Sequence, residues 1–235
     1  GVSGADVRYV GLTFHPVALS LSASMAIPLV LARMTKSASS ALVYAPALML
    51  LLAGSLLSGS RTGIVLFVAV LLAFLFWGPR YRRPVIWLAA LAALIYVLNV
   101  AGLPILPERL SSGSDVELSN QVRIDNLREG FSGFLDRPIL GYGYEYSRQA
   151  HNIVLQLLVS GGLIALIGYF TVTIGYLKSG IQLASRVPAW IRPDLIGSTT
   201  AFVVFLVSGL FSNSIFERYL YIPAAVVLAP VAIMS

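Results

Sequence analysis

The stretch IVLQLLVSGGLIALIGYFTVTIGYL, residues 153–177, carries no charged side chain. A run of that length meets the ~20 apolar residues that a helix needs to cross a bilayer. Working outward from it, further apolar stretches fall at 12–34, 41–59, 62–77, 85–103, 195–212 and 219–235. The stretch 62–77 is short for a crossing, and 219–235 reads as an incomplete one. In lipid only a helix pairs all of its own backbone groups, so each stretch is expected to be helical. Composition agrees. Of 235 residues, 57% are hydrophobic and 11% charged, against roughly 25% charged in an average soluble domain. The expected fold is an all-α integral membrane bundle of about six or seven transmembrane helices with one large polar loop.

Charge orients the bundle. Short connections carry Arg33 and Lys36, then Arg80, Arg82 and Arg83, and a later one carries Lys178, Arg186 and Arg192. Lys and Arg concentrate on the cytoplasmic side of short loops, so these connections are expected inside. The opposite side then receives the turn Ser60-Arg61-Thr62-Gly63, the long segment 104–152 and the turn at Glu217-Arg218. Both lysines fall inside by this threading. The cations expected outside are all arginine: Arg8, Arg61, Arg109, Arg123, Arg128, Arg137, Arg148 and Arg218. Arginine offers a planar, bidentate fork suited to phosphate or carboxylate. Nearly all the acidic residues are expected outside too, so surface ion pairs account for most of these arginines. With 16 basic and 10 acidic residues the net charge is +6, but the cations are scattered over loops and form no nucleic-acid stripe. The chain has no Cys, which excludes disulfides and thiolate metal sites.

Segment 104–152 holds the chemistry-bearing residues. Pro104 and Pro107 end the preceding apolar run. Ser114-Asp115-Val116-Glu117 has the S-x-x-E form that starts a helix. Ile124, Leu127, Phe131, Phe134 and Leu135 follow at three- and four-residue steps, making one apolar stripe with Arg123 and Arg128 at its edges. This helix is expected to lie on the bilayer surface or against the bundle. Asp136-Arg137-Pro138 should end it, because proline disfavours helix in the residue before it. A glycine-punctuated turn, Leu140-Gly141-Tyr142-Gly143-Tyr144, leads to His151-Asn152 at the entrance of the quoted run. His151 is a natural proton acceptor near neutral pH; as a lone histidine it reads more readily as a hydrogen-bonded residue at a membrane boundary. The same holds more strongly for His15. Tyr142, Tyr144, Tyr146, Tyr219 and Tyr221 read either as interfacial aromatics or as sugar-stacking rings. No phosphate-binding loop, nucleophile elbow or metal cluster is present in the pattern.

Taken in order, these pieces resemble the O-antigen ligase and polymerase superfamily of bacterial membrane glycosyltransferases. The resemblance runs from about Arg8 to the C-terminus. It comprises Gly11-x-x-x-His15-Pro16, Ser60-Arg61-Thr62-Gly63, Arg123, Arg137-Pro138-Ile139-Leu140-Gly141-Tyr142-Gly143, His151-Asn152 and Gly161-Gly162. Val17 stands where the family usually has Asn, so no role is carried to that position. Family members have additional spans before the matching region, which leads us to expect the C-terminal part of a longer chain. The organisation then reads as helices 1–4 over 1–103, an extracytoplasmic catalytic loop over 104–152, and helices 5–7 over 153–235.

The resemblance implies transfer of a glycan from a polyprenyl-diphosphate carrier to an acceptor hydroxyl on the outer face of the bacterial cytoplasmic membrane. It implies catalysis without a metal or other cofactor. The partners would be the lipid-linked donor, a lipid or glycan acceptor and membrane lipids, with no nucleic acid. Arg61 and Arg123 would stabilise the departing diphosphate, and His151 would take the proton of the attacking hydroxyl. Arg128, Arg148, Asn152 and Tyr142 are the further substrate-binding candidates. A ligase, a polymerase and transfer to protein hydroxyls remain alternatives within the class. Outside it stand a flippase or transporter for lipid-linked glycan, which would carry ionisable groups at mid-membrane, and a non-catalytic assembly subunit.

Overall fold

The computed structural model describes residues 16–100, 114–143 and 152–211. They form seven α-helices, with no strand among the described residues: α1 (Pro16–Met34), α2 (Ala38–Leu57), α3 (Arg61–Leu75), α4 (Pro79–Val100), α5 (Ser114–Asp136), α6 (Ile153–Arg186) and α7 (Arg192–Gly209). The expected all-α class holds, and six of the seven apolar stretches are represented by helices. The stretch 219–235 lies outside the described residues.

α2 and α6 are each long and apolar enough to cross a membrane, while α1 and α3 are shorter apolar helices. At 1.5 Å per residue, α3 rises only about 22 Å, short of a ~30 Å hydrocarbon core. α6 outruns its expected end at 177 and continues to Arg186. Lys178 and Gln182 end the apolar pattern without ending the helix, because both residue types favour helix wherever their side chains can reach water.

The exterior is apolar and the interior holds small polar residues. Leu42, Leu50, Ile86, Trp87, Ile164 and Ile167 are exposed, whereas Ser20, Ser24, Ser198, Thr199 and Thr200 are buried. That inversion suits lipid, where association relies on close packing and interhelical hydrogen bonds more than on water exclusion. α7 lies at the centre against α1, α3 and α6, while α2 packs on α1, α4 on α3 and α5 on α6. The core gathers Ile27 and Leu31 of α1, Leu66, Val70 and Phe74 of α3, and Phe202 and Phe205 of α7. Gly197 of α7 permits close approach to α1: a Cβ there would sit 2.9 Å from the Leu29 Cα and 3.0 Å from the Pro28 carbonyl oxygen.

One end of the bundle collects the cationic connections. Asp194, in the first turn of α7, accepts from Arg33 Nε at 2.6 Å and from Lys36 Nζ at 3.2 Å. The Arg80 guanidinium donates to the Thr35 carbonyl at 3.0 and 2.6 Å, closing the end of α1. Trp77, just past α3, donates its indole N–H to Thr200 of α7 at 3.0 Å. Thus the ends of α1, α3 and α6 meet the starts of α2, α4 and α7, as alternate threading requires. Exposed Phe76, Trp87 and Trp190 lie in or near these same connections, in the manner of an interfacial aromatic belt.

Candidate active site

The opposite end is built from the α2–α3 turn, α5, the segment after α5, and the start of α6. α5 starts at Ser114, at the S-x-x-E pattern, and stops at Asp136, two residues before Pro138. Of its apolar stripe Phe134 is the member packed on α6, while Ile124, Leu127, Phe131 and Leu135 remain exposed. Phe134 packs against Leu155 and Val159, and Gly130 lies against Leu155, where a Cβ would come within 2.6 Å of a Leu155 methyl. Nearer its start α5 stands further off, leaving an open hollow of about 610 Å³ whose wall includes Ile124, Leu127, Arg128, Phe131, Asn152 and Leu158. Two of the sequence candidates, Arg128 and Asn152, therefore border one space.

After α5 the chain crosses to α6 and meets a break in that helix. Gly162 has φ 62° and ψ −157°, a combination open to glycine and closed to ordinary L-residues. Three backbone hydrogen bonds join the strands of chain: Leu163 N–H donates to the Pro138 carbonyl at 2.9 Å, Tyr142 N–H to Val159 at 2.8 Å, and Gly143 N–H to Ser160 at 2.9 Å. In an unbroken helix the Val159 and Ser160 carbonyls would accept from residues 163 and 164. The incoming segment replaces those rungs, so breaking the helix leaves these backbone groups paired, as a lipid setting demands. Gly141, at φ 64°, lies so close that a Cβ would fall 2.5 Å from the Val159 carbonyl oxygen. A Cβ on Gly162 would collide with the Ile139 carbonyl. The two glycine motifs of the sequence, R-P-x-x-G-x-G and G-G, are the two halves of one joint.

Tyr142 belongs to this joint. Its ring packs on Leu155 and Val159, the Arg137 guanidinium lies 4.6 Å from its centroid, and its hydroxyl donates to Asp136 at 3.2 Å. Asn152 is also held. Its Oδ1 accepts from the Val154 and Leu155 amides at 2.9 and 3.2 Å, capping α6, and its Nδ2 donates to the Leu210 carbonyl beyond α7 at 3.2 Å. An Asn directly before an apolar periodic run is a usual N-cap signal, and the sequence reading did not use it. It also passed over Gln156, a lone amide in the quoted run, which is completely buried one turn into α6.

Arg61 is exposed at the first position of α3, after the buried Ser60. A cation there gains nothing from the helix, whose N-terminal amides are already electropositive; together they suit an anion. α1 runs antiparallel to α7, as the Arg33–Asp194 pair shows. α3 runs in the same direction as α1, with Gly63 against Ser20 near their starts and Arg80 on Thr35 past their ends, so Arg61 shares the end of the bundle where Asn152 meets Leu210. Arg123 is exposed on α5. His151, Arg148, His15 and the tyrosines 144, 146, 219 and 221 lie outside the described residues.

A helical bundle with an apolar exterior, two of whose helices are long and apolar enough to cross a membrane, and with arginines at both ends defines an all-α protein of membrane type. A family model described as O-antigen ligase matches residues 46–170, more than half of the 235 residues. The chain belongs to the O-antigen ligase family, and is a bacterial membrane enzyme of the glycosyltransferase type with lipid-linked glycan substrates. The match spans Arg61, Arg123, Arg128, the joint at Gly141 and Gly162, and His151, while the central α7 lies beyond it. No curated protein matches the chain.

Proposed function

We propose that this protein transfers a glycan from a polyprenyl diphosphate to an acceptor hydroxyl at the outer surface of the bacterial cytoplasmic membrane, as an O-antigen ligase. The observation that carries the reading is the meeting of Arg128 on α5 with Asn152, the neighbour of His151, around one hollow, at the end of the bundle that also holds Arg61. The acceptor oxygen attacks the anomeric carbon, the bond from that carbon to the diphosphate oxygen breaks, and the hydroxyl proton passes to His151. Negative charge grows on the departing diphosphate, and fixed guanidiniums from Arg61 and Arg123 stabilise it in the transition state. Arg128 and Arg148 hold the donor, Asn152 fixes the chain beside the base, and Tyr142 seats the loop between them. This assignment needs no metal.

In this reading the helices make six or seven crossings, with the Arg33–Asp194 end in the cytoplasm and 104–152 outside. The test is transfer by the full-length protein in reconstituted membranes from a polyprenyl-diphosphate oligosaccharide, with a lipid-core acceptor present or absent. Acceptor-dependent product that falls roughly 10²–10⁴-fold in His151→Ala is expected. A lengthening ladder without the core acceptor would make the protein a polymerase. Donor that crosses the bilayer with no transfer would replace the enzyme reading with a transporter.

A further inference from the structure

The joint between the α5–α6 segment and the broken helix has more rigidity than a connecting loop needs. Residues 138–143 replace the helical rungs of α6 at Val159, Ser160 and Leu163, and both glycines that permit it sit at backbone angles that other residues resist. From this joint, α5 runs back along the first two turns of α6. The Gly130–Leu155 contact borders the hollow that holds Arg128 and Asn152, since Leu155 is itself part of its wall. A change at the joint would thus swing the arginine-bearing half of α5 relative to the Asn152 end of α6. We propose that Gly141 and Gly162 are positioning residues: their joint sets the register of Arg123 and Arg128 against the start of α6, and so against the residue that precedes Asn152. The proposal rests on the transferase reading for its consequence, but its geometry can be tested separately.

The test uses the absence of native cysteine. Gly130→Cys with Leu155→Cys places a reducible tether across the contact between the helices, in the full-length protein in proteoliposomes. In this background Gly162→Ala is compared with the unsubstituted joint, each reduced and oxidised. With the joint broken, the disulfide should form more slowly, and transfer by the reduced protein should fall on the order of 10²-fold, the scale of a misplaced catalytic group. Oxidation should then restore most of the lost transfer, which a purely structural defect would not allow. Gly141→Ala, which disturbs the joint from the loop side and leaves the α6 sequence intact, should behave alike and serves if Gly162→Ala does not fold. Unchanged disulfide formation and transfer in both variants would overturn the proposal, as would a loss that the tether cannot restore. Absence of transfer even with the intact joint would count against the transferase reading, while the rate of disulfide formation would still report on the register.

Discussion

The Leu163 amide donates to the Pro138 carbonyl at 2.9 Å, while the carbonyl it would meet in a regular helix, that of Val159, accepts instead from Tyr142 at 2.8 Å. This exchange ties the polar segment to a helix long and apolar enough to cross the membrane. It also fastens the C-terminal end of α5, the helix that carries Arg123 and Arg128, to backbone and not merely to side chains. A site meant to stabilise developing charge gains from such fixation, because donors already in place need no reorganisation as charge appears.

Arg61 and Arg123 should each matter to turnover more than to folding, since both side chains are exposed. Arg61→Ala and Arg123→Ala are expected to lose ~10²–10³-fold in rate, as when a charge-stabilising donor is removed. Their thermal unfolding in detergent should stay near that of the unsubstituted protein. Normal turnover and donor affinity in both variants would remove the arginines from the mechanism.

Asn152 has a structural duty that can be separated from any catalytic one. Asn152→Ala should cost about 1 kcal/mol through loss of the α6 cap. Asn152→Ser should recover much of that cost while still lacking the bond to the Leu210 carbonyl. Melting temperatures of the two variants check the cap; transfer rates that fall further in Asn152→Ser than its stability explains would show that the tie to Leu210 also supports the site.

The charge cluster at the other end should be dispensable for transfer. Arg33 and Asp194 remain substantially exposed, at 48% and 33% of their side-chain surface, and exposed ion pairs contribute ~0–1 kcal/mol. Asp194→Asn is expected to lower stability by no more than that, with less effect at high salt and none on turnover. A large loss of transfer would mean that this end communicates with the one that holds Arg61 and Asn152.

Sidedness can be read by single-cysteine labelling. A cysteine replacing Arg82 should react only with a membrane-permeant reagent, and one replacing Asp125 should react with an impermeant reagent added outside. The reverse pattern would invert the threading and place the site in the cytoplasm.

Chelation separates metal-dependent from metal-free transfer. Transfer in excess chelator is expected to match the untreated rate, with Arg61 and Arg123 serving where a cation would. Loss that a divalent ion restores would assign the diphosphate to a metal.

Much of this architecture was legible in the residue order because its causes are local. Apolar runs gave helices in six places, two of them long and apolar enough to cross a membrane. The Ser114 pattern and the Asp136-Arg137-Pro138 stop bounded α5 at the residues where the helix begins and ends, since capping and proline sterics act within a turn. The alternation of cationic connections anticipated which helix ends would meet. Polarity was a poorer guide to length: it predicted the end of the apolar run in α6, whereas the helix itself continues to Arg186.

Tertiary structure alone decided the rest. Nothing in the local pattern of α7 marks it as the central helix; that follows from Gly197 and its small neighbours admitting α1 closely. Gly161-Gly162 within an apolar run reads like any helix-packing pair, and only the arrival of 138–143 turns it into a break, because the replacement hydrogen bonds come from residues some twenty positions earlier. Asn152 and Tyr142, read from the sequence as substrate contacts, are held by Leu210, Arg137 and Asp136. A sequence specifies which groups need partners, and where the chain folds back decides which partners they find.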